Sequence, residues 1–257
     1  METSASGLRV LVTAGGAGIG RVIAASFAAH GARVHVCDVD DAALAQTRAD
    51  LPAVTTTGAD VASLDDVERL FADVQRELGG LDVLVNNAGI AGPTAKVEDI
   101  APADWDRCIA VDLNGMFYVT RRAMPLIKQA GGGAIINLSS VAGRLGFPMR
   151  TAYAAAKWAV VGFTKSLAIE AGPDGVRVNC IQPGMVAGER IDRVIAARAA
   201  AKGVSVAEER TRSLAQVSMR TFVTAQDIAN LALFLATDAG RHISGQALSV
   251  CGDQQTT

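Results

Sequence analysis

The chain has 257 residues, half of them hydrophobic and 19% charged, which supports a sizeable buried core and argues against intrinsic disorder. Lys and Arg number 24 against 26 Asp and Glu, so the basic excess typical of a nucleic-acid-binding protein is missing. No apolar run approaches the roughly 20 residues that cross a bilayer, so a membrane-spanning protein is also excluded.

Short apolar runs alternate with helical patterns from the N-terminus onward. In the first half, the predicted strands are residues 8–13, 32–37, 54–57 and 81–86. The predicted helices between them are residues 19–30, 40–51 and 64–78. In the last of these helices, apolar residues recur at three- and four-residue intervals, as on one face of a helix, and Gly79 ends it.

The second half repeats this alternation. Its predicted strands are residues 134–138, 176–181 and 247–251. Its predicted helices are residues 103–129 with a break near 112, 151–171, one or two polar helices within 189–216, and 225–236. Nearly all-apolar strands between helices indicate a parallel sheet covered on both faces. We therefore expect an α/β, doubly wound, Rossmann-like fold with about seven strands, and residues 1–257 are expected to form a single domain because no linker interrupts them.

A glycine-rich turn with the sequence TAGGAGIG joins the first predicted strand to the first predicted helix. Glycine lets the backbone turn tightly and lets a pyrophosphate approach the N–H groups at a helix N-terminus. The strand before the turn and the helix after it make this a candidate dinucleotide-binding site. The candidate cofactor contacts in it are Gly15, Gly18, Ile19 and Gly20.

An aspartate, Asp38, follows the second predicted strand. In this fold a carboxylate at that position binds the adenosine ribose hydroxyls and would repel a 2′-phosphate. Val39 and the glycine-rich turn supply no Arg or Lys for such a phosphate, so the sequence favours NAD over NADP. The alternative is that Asp38, with its acidic neighbours Asp40 and Asp41, caps the following helix.

A third group of residues lies further along the chain and comprises Asn86-Asn87-Ala88-Gly89, Ser140, Tyr153 and Lys157. Tyr153 and Lys157 are four residues apart on a predicted helix and therefore share one face. An ammonium group beside a phenol stabilises the phenolate, so the pair is suited to general acid/base work. Alone, such a pair is more often an exposed helix pair. Combined with the glycine-rich turn, residues 86–89 and Ser140, it indicates catalysis.

With these motifs in order, the chain resembles the classical short-chain dehydrogenase/reductase family over about residues 8–252. The motifs that carry the resemblance are TAGGAGIG, Asp60-Val61, NNAG, Asn114, Ser140, Tyr153-Ala-Ala-Ala-Lys157, Asn179 and Pro183-Gly184. The resemblance implies direct hydride transfer between a nicotinamide cofactor and a substrate carbon, with no metal.

The resemblance also implies a role for each matched residue. Tyr153 would exchange a proton with the substrate oxygen, Ser140 would hydrogen-bond that oxygen, and Lys157 would stabilise the phenolate and bind the nicotinamide ribose. Asn114 would hold a water that relays protons from Lys157 to solvent. The remaining implied cofactor contacts, besides Tyr153 and Lys157, are Asp60, Val61, Asn87, Ala88, Gly89, Pro183, Gly184 and Val186.

Three positions depart from the family pattern. Ala14 stands where the family usually has glycine, and its methyl group is tolerable only if the local φ is negative. Gly188 stands where a threonine commonly bonds the cofactor, so a nicotinamide-side contact is missing. Cys251 replaces a common aspartate and is expected to affect packing or subunit contacts, not the chemistry.

The charged segment from about 185 to 216 is expected, from its place in the fold, to be a lid over the substrate. Three arginines, Arg144, Arg150 and Arg190, form a candidate site for a carboxylate, sulfonate or phosphate on the substrate. The alternative is that they are solvated surface residues. The candidate substrate contacts are thus Ser140, Arg144, Arg150, Tyr153 and Arg190.

The helices predicted near 105–129 and 151–171 carry more small and apolar residues than one buried face needs. The family commonly pairs these helices across subunits, so we expect a homotetramer, with a dimer as the second choice. The polar N-terminus and the four widely spaced cysteines favour a reducing, cytoplasmic setting without disulfides or a zinc site.

These features predict an NAD-dependent oxidoreductase that interconverts a secondary alcohol and a ketone, with a polyol, sugar or hydroxy acid as substrate. A 3-oxoacyl thioester reductase is the nearest enzymatic alternative, although Asp38 disfavours the NADP that such enzymes generally use. A catalytically silent NAD-binding regulatory protein on the same fold is the alternative from another class.

Overall fold

Seven parallel strands form the central sheet of residues 4–256, the part that the computed structural model describes, apart from the side chains of residues 190, 197 and 201. The strands are β1 (Arg9–Thr13), β2 (Arg33–Asp38), β3 (Thr55–Gly58), β4 (Val83–Asn86), β5 (Gly133–Leu138), β6 (Val176–Pro183) and β7 (Ala247–Val250). Their order across the sheet is β3-β2-β1-β4-β5-β6-β7. This confirms the predicted α/β, doubly wound, Rossmann-like fold.

Helices connect the strands. They are α1 (Gly18–Ala29), α2 (Asp41–Asp50), α3 (Leu64–Leu78), α4 (Pro102–Ile109), α5 (Gly115–Gln129), α6 (Thr151–Ala171), α7 (Glu189–Lys202), α8 (Val206–Ala215) and α9 (Ala225–Ala236). The bounds of α3, α6 and α9 are those predicted from the sequence. Of the one or two polar helices expected within 189–216, the structure has two, α7 and α8.

Side chains of β1 point alternately into two apolar layers, one on each face of the sheet. Val10 and Val12 pack in the layer that contains Phe27 of α1 and several residues of α9. Leu11 packs in the other layer, with Leu70 of α3 and apolar residues of α5. Because both faces are covered, the strand needs apolar residues at nearly every position, as its sequence has.

The long helix predicted at 103–129 is divided. A π-helical turn (Ala110–Asn114) separates α4 from α5, which confirms the predicted break near 112. Such turns hold an extra residue and change which side chains face a given direction. This turn lies beside the strand ends described next, so its side-chain directions affect the site.

The strand order reverses at β1, which pairs with β2 on one side and β4 on the other. In such sheets, ligands bind outside the carboxyl ends of the strands at this point. The glycine-rich turn follows β1, residues 87–89 follow β4, and Ser140 follows β5. The parallel sheet therefore brings motifs that are far apart in the sequence to one edge.

A buried histidine, His35, lies on β2. Its Nδ1 and Nε2 atoms are 2.7 and 3.0 Å from the hydroxyl oxygens of Thr55 and Thr57 on β3. Burial lowers the pKa of His35 to about 4, because the imidazolium form would lose its hydration. The ring is therefore neutral at physiological pH.

Among residues 4–256, no helix is long and apolar enough to cross a membrane. Within the same range, His, Cys, Asp and Glu side chains form no group of three or more that could hold a metal ion.

Candidate active site

The glycine-rich turn leads into α1 without a side-chain cap. Ala17 offers no acceptor to the first N–H groups of α1, and the first helical turn contains no acidic residue. Gly18 has a φ of +52°, and a Cβ atom there would meet nothing within 4 Å. Uncapped N–H groups, the positive helix end and this open space together fit a pyrophosphate.

The other predicted residues of the turn pack it against the protein. A side chain at Gly15 would overlap Val36, and one at Gly20 would overlap the carbonyl group of Ala14. Ile19 is partly buried against the apolar layer that contains α1. These three residues therefore shape the turn by close packing.

Ala14 adopts a left-handed φ of +49°. The condition stated for this methyl group, a negative φ, is therefore not met, and the left-handed conformation costs an L-residue about 1–2 kcal/mol. Asn87 holds the strained turn, since its Nδ2 donates to the carbonyl oxygens of Thr13 and Ala14, each at 3.0 Å. Thr13 Oγ1 in turn accepts the N–H groups of Asn87 and Ala88.

Asp38 ends β2 beside the same turn. Its Oδ2 accepts the N–H of Gly16 at 3.0 Å, and its Oδ1 accepts the N–H of Asp40 at 3.2 Å. The residue that caps α2 is Asp40, whose side chain accepts the N–H of Ala43. The capping alternative for Asp38 is therefore wrong. Each carboxylate oxygen can accept a further hydrogen bond, as a ribose diol would require.

Two further predicted cofactor residues, Asp60 and Val61, follow β3. Arg107 of α4 donates to Asp60 Oδ2 at 2.9 Å, so this carboxylate is already paired with a side chain. Val61 is buried, and a Cβ atom at Gly115 would overlap it. Asp60 and Val61 therefore connect the end of β3 to α4 and α5, the helices on either side of the π turn.

Tyr153 and Lys157 lie on one face of α6, as their spacing predicts. Lys157 Nζ is 5.5 Å from the centre of the Tyr153 ring. Lys157 is only 4% exposed, and its Nζ donates to the carbonyl oxygen of Leu138 at 3.2 Å. A Cβ atom at Gly89 would lie 3.1 Å from the same Nζ. The alternative of an exposed helix pair is wrong, because the lysine is buried under the strand ends.

The structure contradicts the placement of Asn114 in this group. Its side chain is exposed, whereas Asp112, two residues earlier in the π turn, is fully buried. Asp112 Oδ2 lies 3.3 Å from Lys157 Nζ, and Asp112 Oδ1 accepts the N–H of Ile90 at 2.7 Å. Two residues apart on a helix point in nearly opposite directions, so only one of them can reach Lys157. The carboxylate beside Lys157 was not predicted.

Ser140 follows β5 and begins a short 3-10 turn (Val141–Gly143). Its Oγ accepts the N–H of Ala142 at 3.1 Å, and its hydroxyl can still donate to a further acceptor. The preceding residue, Ser139, donates to the carbonyl oxygen of Lys157 at 2.8 Å. The Ser140 loop is thereby held against α6 at the level of Lys157.

Of the three arginines of the candidate anion site, Arg144 and Arg150 do not converge. Arg144 Nη2 donates to the carbonyl oxygen of Gln254 at 2.7 Å, so it serves the C-terminal segment. Arg150 does lie at the site, with its guanidinium carbon 5.1 Å from the centre of the Tyr153 ring and its Nε donating to the carbonyl oxygen of Ala91. The side chain of Arg190 lies outside the described part of the structure.

The predicted nicotinamide-side residues follow β6 at the same sheet edge. Pro183 ends β6, the N–H of Gly184 donates to the carbonyl oxygen of Val250 at 2.9 Å, and Val186 bridges to the segment before α9. Gly188 precedes α7 with a φ of +137°, a value that L-residues rarely adopt. A threonine could not occupy this position without strain, which explains the missing hydroxyl.

The C-terminal segment, residues 251–256, links the Ser140 loop to the residues after α8. Cys251 is buried, and its Sγ accepts the N–H of Gln254 at 3.4 Å. The carbonyl oxygen of Gln254 accepts a hydrogen bond from Arg144 of the Ser140 loop, and Gln254 forms an antiparallel bridge with Val217. The N–H of Gln255 donates to the carbonyl oxygen of Gln216, just after α8. The departure at Cys251 thus affects packing, as expected.

Known proteins resemble the chain over nearly its whole length. A family model described as enoyl-(acyl carrier protein) reductase matches residues 13–252. D-beta-hydroxybutyrate dehydrogenase of Cupriavidus necator is 37% identical over 253 residues, which are 96% of this chain and 97% of that protein.

Solved structures agree with this match. An NAD⁺-bound xylitol dehydrogenase superposes with a TM-score of 0.91 at 27% identity and covers 96% of this chain and 98% of its own. L-sorbose reductase from Gluconobacter frateurii, solved with NADPH and L-sorbose, superposes with a TM-score of 0.93 at 26% identity over 100% of both chains. Sequence and fold lead to the same assignment: the chain belongs to the classical short-chain dehydrogenase/reductase family.

Proposed function

We propose that the protein is an NAD-dependent oxidoreductase that interconverts a secondary alcohol and a ketone. The observation that carries the proposal is the phenol of Tyr153 stacked beside the buried ammonium of Lys157, at the sheet edge where the uncapped N-terminus of α1 also lies. Relatives named as hydroxybutyrate dehydrogenase, xylitol dehydrogenase and sorbose reductase support the same reaction class.

Each residue has a part in this chemistry. The Tyr153 hydroxyl gives a proton to the ketone oxygen in reduction, and its phenolate takes the proton from the alcohol in oxidation. Ser140 donates a hydrogen bond to the same oxygen and orients it. Lys157 stabilises the phenolate by its charge. A bound nicotinamide cofactor supplies or accepts the hydride.

The cofactor would be held by residues of the β1, β2 and β4 ends. The first N–H groups of α1 suit its pyrophosphate, and Asp38 suits the two hydroxyls of its adenosine ribose. A negative charge at Asp38 disfavours a 2′-phosphate, which is why we propose NAD. The expected NADP-using alternative, a 3-oxoacyl thioester reductase, is disfavoured for the same reason.

The test is cofactor reduction by the purified protein on a panel of secondary alcohols. The panel contains neutral diols, polyols, sugars, hydroxy acids and 3-hydroxyacyl thioesters, each with NAD⁺ and with NADP⁺. We expect turnover with NAD⁺ on at least one hydroxyl class and a higher kcat/KM with NAD⁺ than with NADP⁺. Tight NAD⁺ binding without turnover on any member would instead favour the silent binding protein.

Within that panel, we propose hydroxy acids as the preferred class and Arg150 as the residue that selects them. Its guanidinium lies against the Tyr153 ring, so an anionic group next to the reacting carbon would approach it. Arg150→Ala is expected to lower kcat/KM for a hydroxy acid about 10- to 100-fold more than for a neutral polyol, the size of a lost hydrogen bond to a charged group.

The ratio of the two substrates is the measurement, because Arg150 also contacts Tyr153 and its loss can slow both. Arg150→Lys is the matched control, since it keeps the charge and should recover part of the preference. An equal decrease for the acid and the polyol would contradict this role.

We also propose a homotetramer in which α5 and α6 pair with other copies of the chain. Large apolar side chains are exposed on these helices: Phe117 is 47%, Trp158 50% and Ile169 80% exposed. A charge at such a position would be desolvated in an interface.

Light scattering should give the mass of a tetramer, and Phe117→Glu and Trp158→Glu should each lower that mass. Val206→Glu, on exposed α8, is the control that should not, and a monomeric wild type would refute the proposal.

We also propose that residues 185–216 form a lid over the substrate and that the protein is located in the cytoplasm. The α7 and α8 helices follow the nicotinamide-side residues of β6 directly, which supports a position over the substrate.

A further inference from the structure

A buried hydroxyl on α2, that of Thr47, has no part in the chemistry proposed above. Thr47 is 0% exposed. The buried residues of α2 are Leu44 and Thr47, and Leu44 packs in the apolar layer that contains α1. An apolar residue would fill the second buried position as well, because burying a hydroxyl is costly unless it is hydrogen-bonded. The partner of this hydroxyl therefore shows what a threonine does there.

The partner is the glycine-rich turn. Thr47 Oγ1 donates to the carbonyl oxygen of Gly16 at 3.0 Å. The N–H of the same glycine donates to Asp38 Oδ2 at 3.0 Å. Gly16 is thus held on both of its peptide groups, by α2 through its carbonyl and by the end of β2 through its N–H.

The backbone at Gly16 depends on such outside contacts. Gly15 and Gly16 follow each other, and neither has a side chain to restrict φ and ψ. The space beside Gly16 is also tight, since a Cβ atom there would lie 3.0 Å from Asp38 Oδ2 and 3.1 Å from the Cβ of Ala43. The turn therefore keeps its conformation through what it contacts, and Thr47 supplies the side-chain hydrogen bond from α2.

We propose that Thr47 is a positioning residue for cofactor selection, which holds the Gly16 carbonyl and thereby keeps the Gly16 N–H on the Asp38 carboxylate. This inference rests on the NAD preference proposed above. The other carboxylate oxygen, Asp38 Oδ1, accepts the N–H of Asp40 at 3.2 Å, so two backbone donors together fix the plane of the carboxylate. A ribose diol needs that carboxylate in a fixed orientation, whereas a 2′-phosphate is repelled by its charge.

The prediction concerns the dissociation constant for NADP⁺ divided by that for NAD⁺. Thr47→Val keeps the branched shape of the side chain but removes the donor, so the Gly16 carbonyl loses its partner and the turn is less firmly held against Asp38. The ratio should fall by about 3- to 10-fold, the size of one lost hydrogen bond, mainly because NAD⁺ binds more weakly. Isothermal titration calorimetry of the full chain without substrate measures both constants.

Two further variants test whether the hydroxyl itself matters. Thr47→Ser keeps the donor and should restore the wild-type ratio, whereas Thr47→Ala removes the donor and should show the same fall as Thr47→Val. The matched control is Thr164→Val on α6, because Thr164 is also 0% exposed and its Oγ1 accepts the Asn137 Nδ2 donor at 2.9 Å. The control should lower thermal stability without changing the ratio.

A double-mutant cycle tests whether Thr47 acts through Asp38. In an Asp38→Ala background the carboxylate to be positioned is gone, so Thr47→Val should leave the ratio unchanged within about twofold. An equally large fall in that background would overturn the inference.

A purely structural Thr47 would weaken both cofactors equally. An unchanged ratio in folded Thr47→Val or Thr47→Ala would therefore overturn the inference, and so would a fall in Thr47→Ser as large as in Thr47→Val. A wild type without preference for NAD⁺ would contradict the proposed cofactor and this inference together, whereas a preference that Thr47→Val retains would contradict this inference alone.

Discussion

Replacing Tyr153 with phenylalanine is expected to lower kcat by about 10²- to 10⁴-fold, the usual contribution of a positioned general acid/base. The substitution removes only the hydroxyl. The ring keeps its contacts with Phe147, Arg150 and Lys157, whose distances from its centre are 6.3, 5.1 and 5.5 Å. Folding should therefore be unaffected, and the loss should appear in the chemical step.

Steady-state kinetics on the best substrate of the panel provide the measurement. The control is Tyr118→Phe, the same chemical change at the only other tyrosine, which lies on α5 beside Phe117. The control should keep wild-type turnover. If Tyr153→Phe retained activity within tenfold of the wild type, another residue would have to handle the proton.

The second large effect is on stability below neutral pH, and it comes from His35. The unfolded side chain has a pKa near 6.5, whereas burial lowers the folded value to about 4. Between these values the unfolded chain binds the extra proton, so stability is highest above pH 6.5 and decreases as the pH falls. The free energy of unfolding should lose about 3 kcal/mol from this group by pH 4.

Urea unfolding at several pH values between 7.5 and 4 measures the effect. His35→Leu removes the titrating ring, so its stability should start lower, because Thr55 and Thr57 lose a partner, but should vary less across this range. His30→Gln, at an exposed position, should keep the wild-type slope. The aspartates with lowered pKa, such as Asp73 and Asp82, lose their contribution only at more acidic pH. Equal slopes in the wild type and His35→Leu would contradict the assignment.

Most of the fold was predictable because local and tertiary signals agree. The apolar spacing of α3 and the glycine after it define the length of that helix. Nearly all-apolar strands such as β1 and β4 indicate a sheet covered on both faces. Even the break near 112 was predicted. Predicted strand ends were displaced by one or two residues, since they depend on pairing with neighbours that the local sequence does not specify.

The parts of the site that depend on residue spacing within one helix were predictable, because that spacing determines where the side chains point. The contacts between residues far apart in the sequence were not predictable. Four residues on a helix place Tyr153 and Lys157 together, whatever the rest of the chain does. Asn114 was chosen for its residue type, but the direction of a side chain in a π turn decides which residue faces Lys157, and that residue is Asp112. The signal available in the sequence was Asp112 itself, an acidic residue between the apolar residues Val111 and Leu113. Arg144 binds Gln254 and Asp60 binds Arg107, pairings that no local pattern reveals.

The C-terminal segment has a practical consequence for protein engineering. The carbonyl oxygen of Gln254 accepts a hydrogen bond from Arg144, which lies four residues after Ser140. The N–H of Gln255 donates to the carbonyl oxygen of Gln216, just beyond α8. A purification tag fused after residue 257 would lie close to both of these hydrogen bonds. A deletion of residues 254–257 would remove both of them. An N-terminal tag avoids this effect.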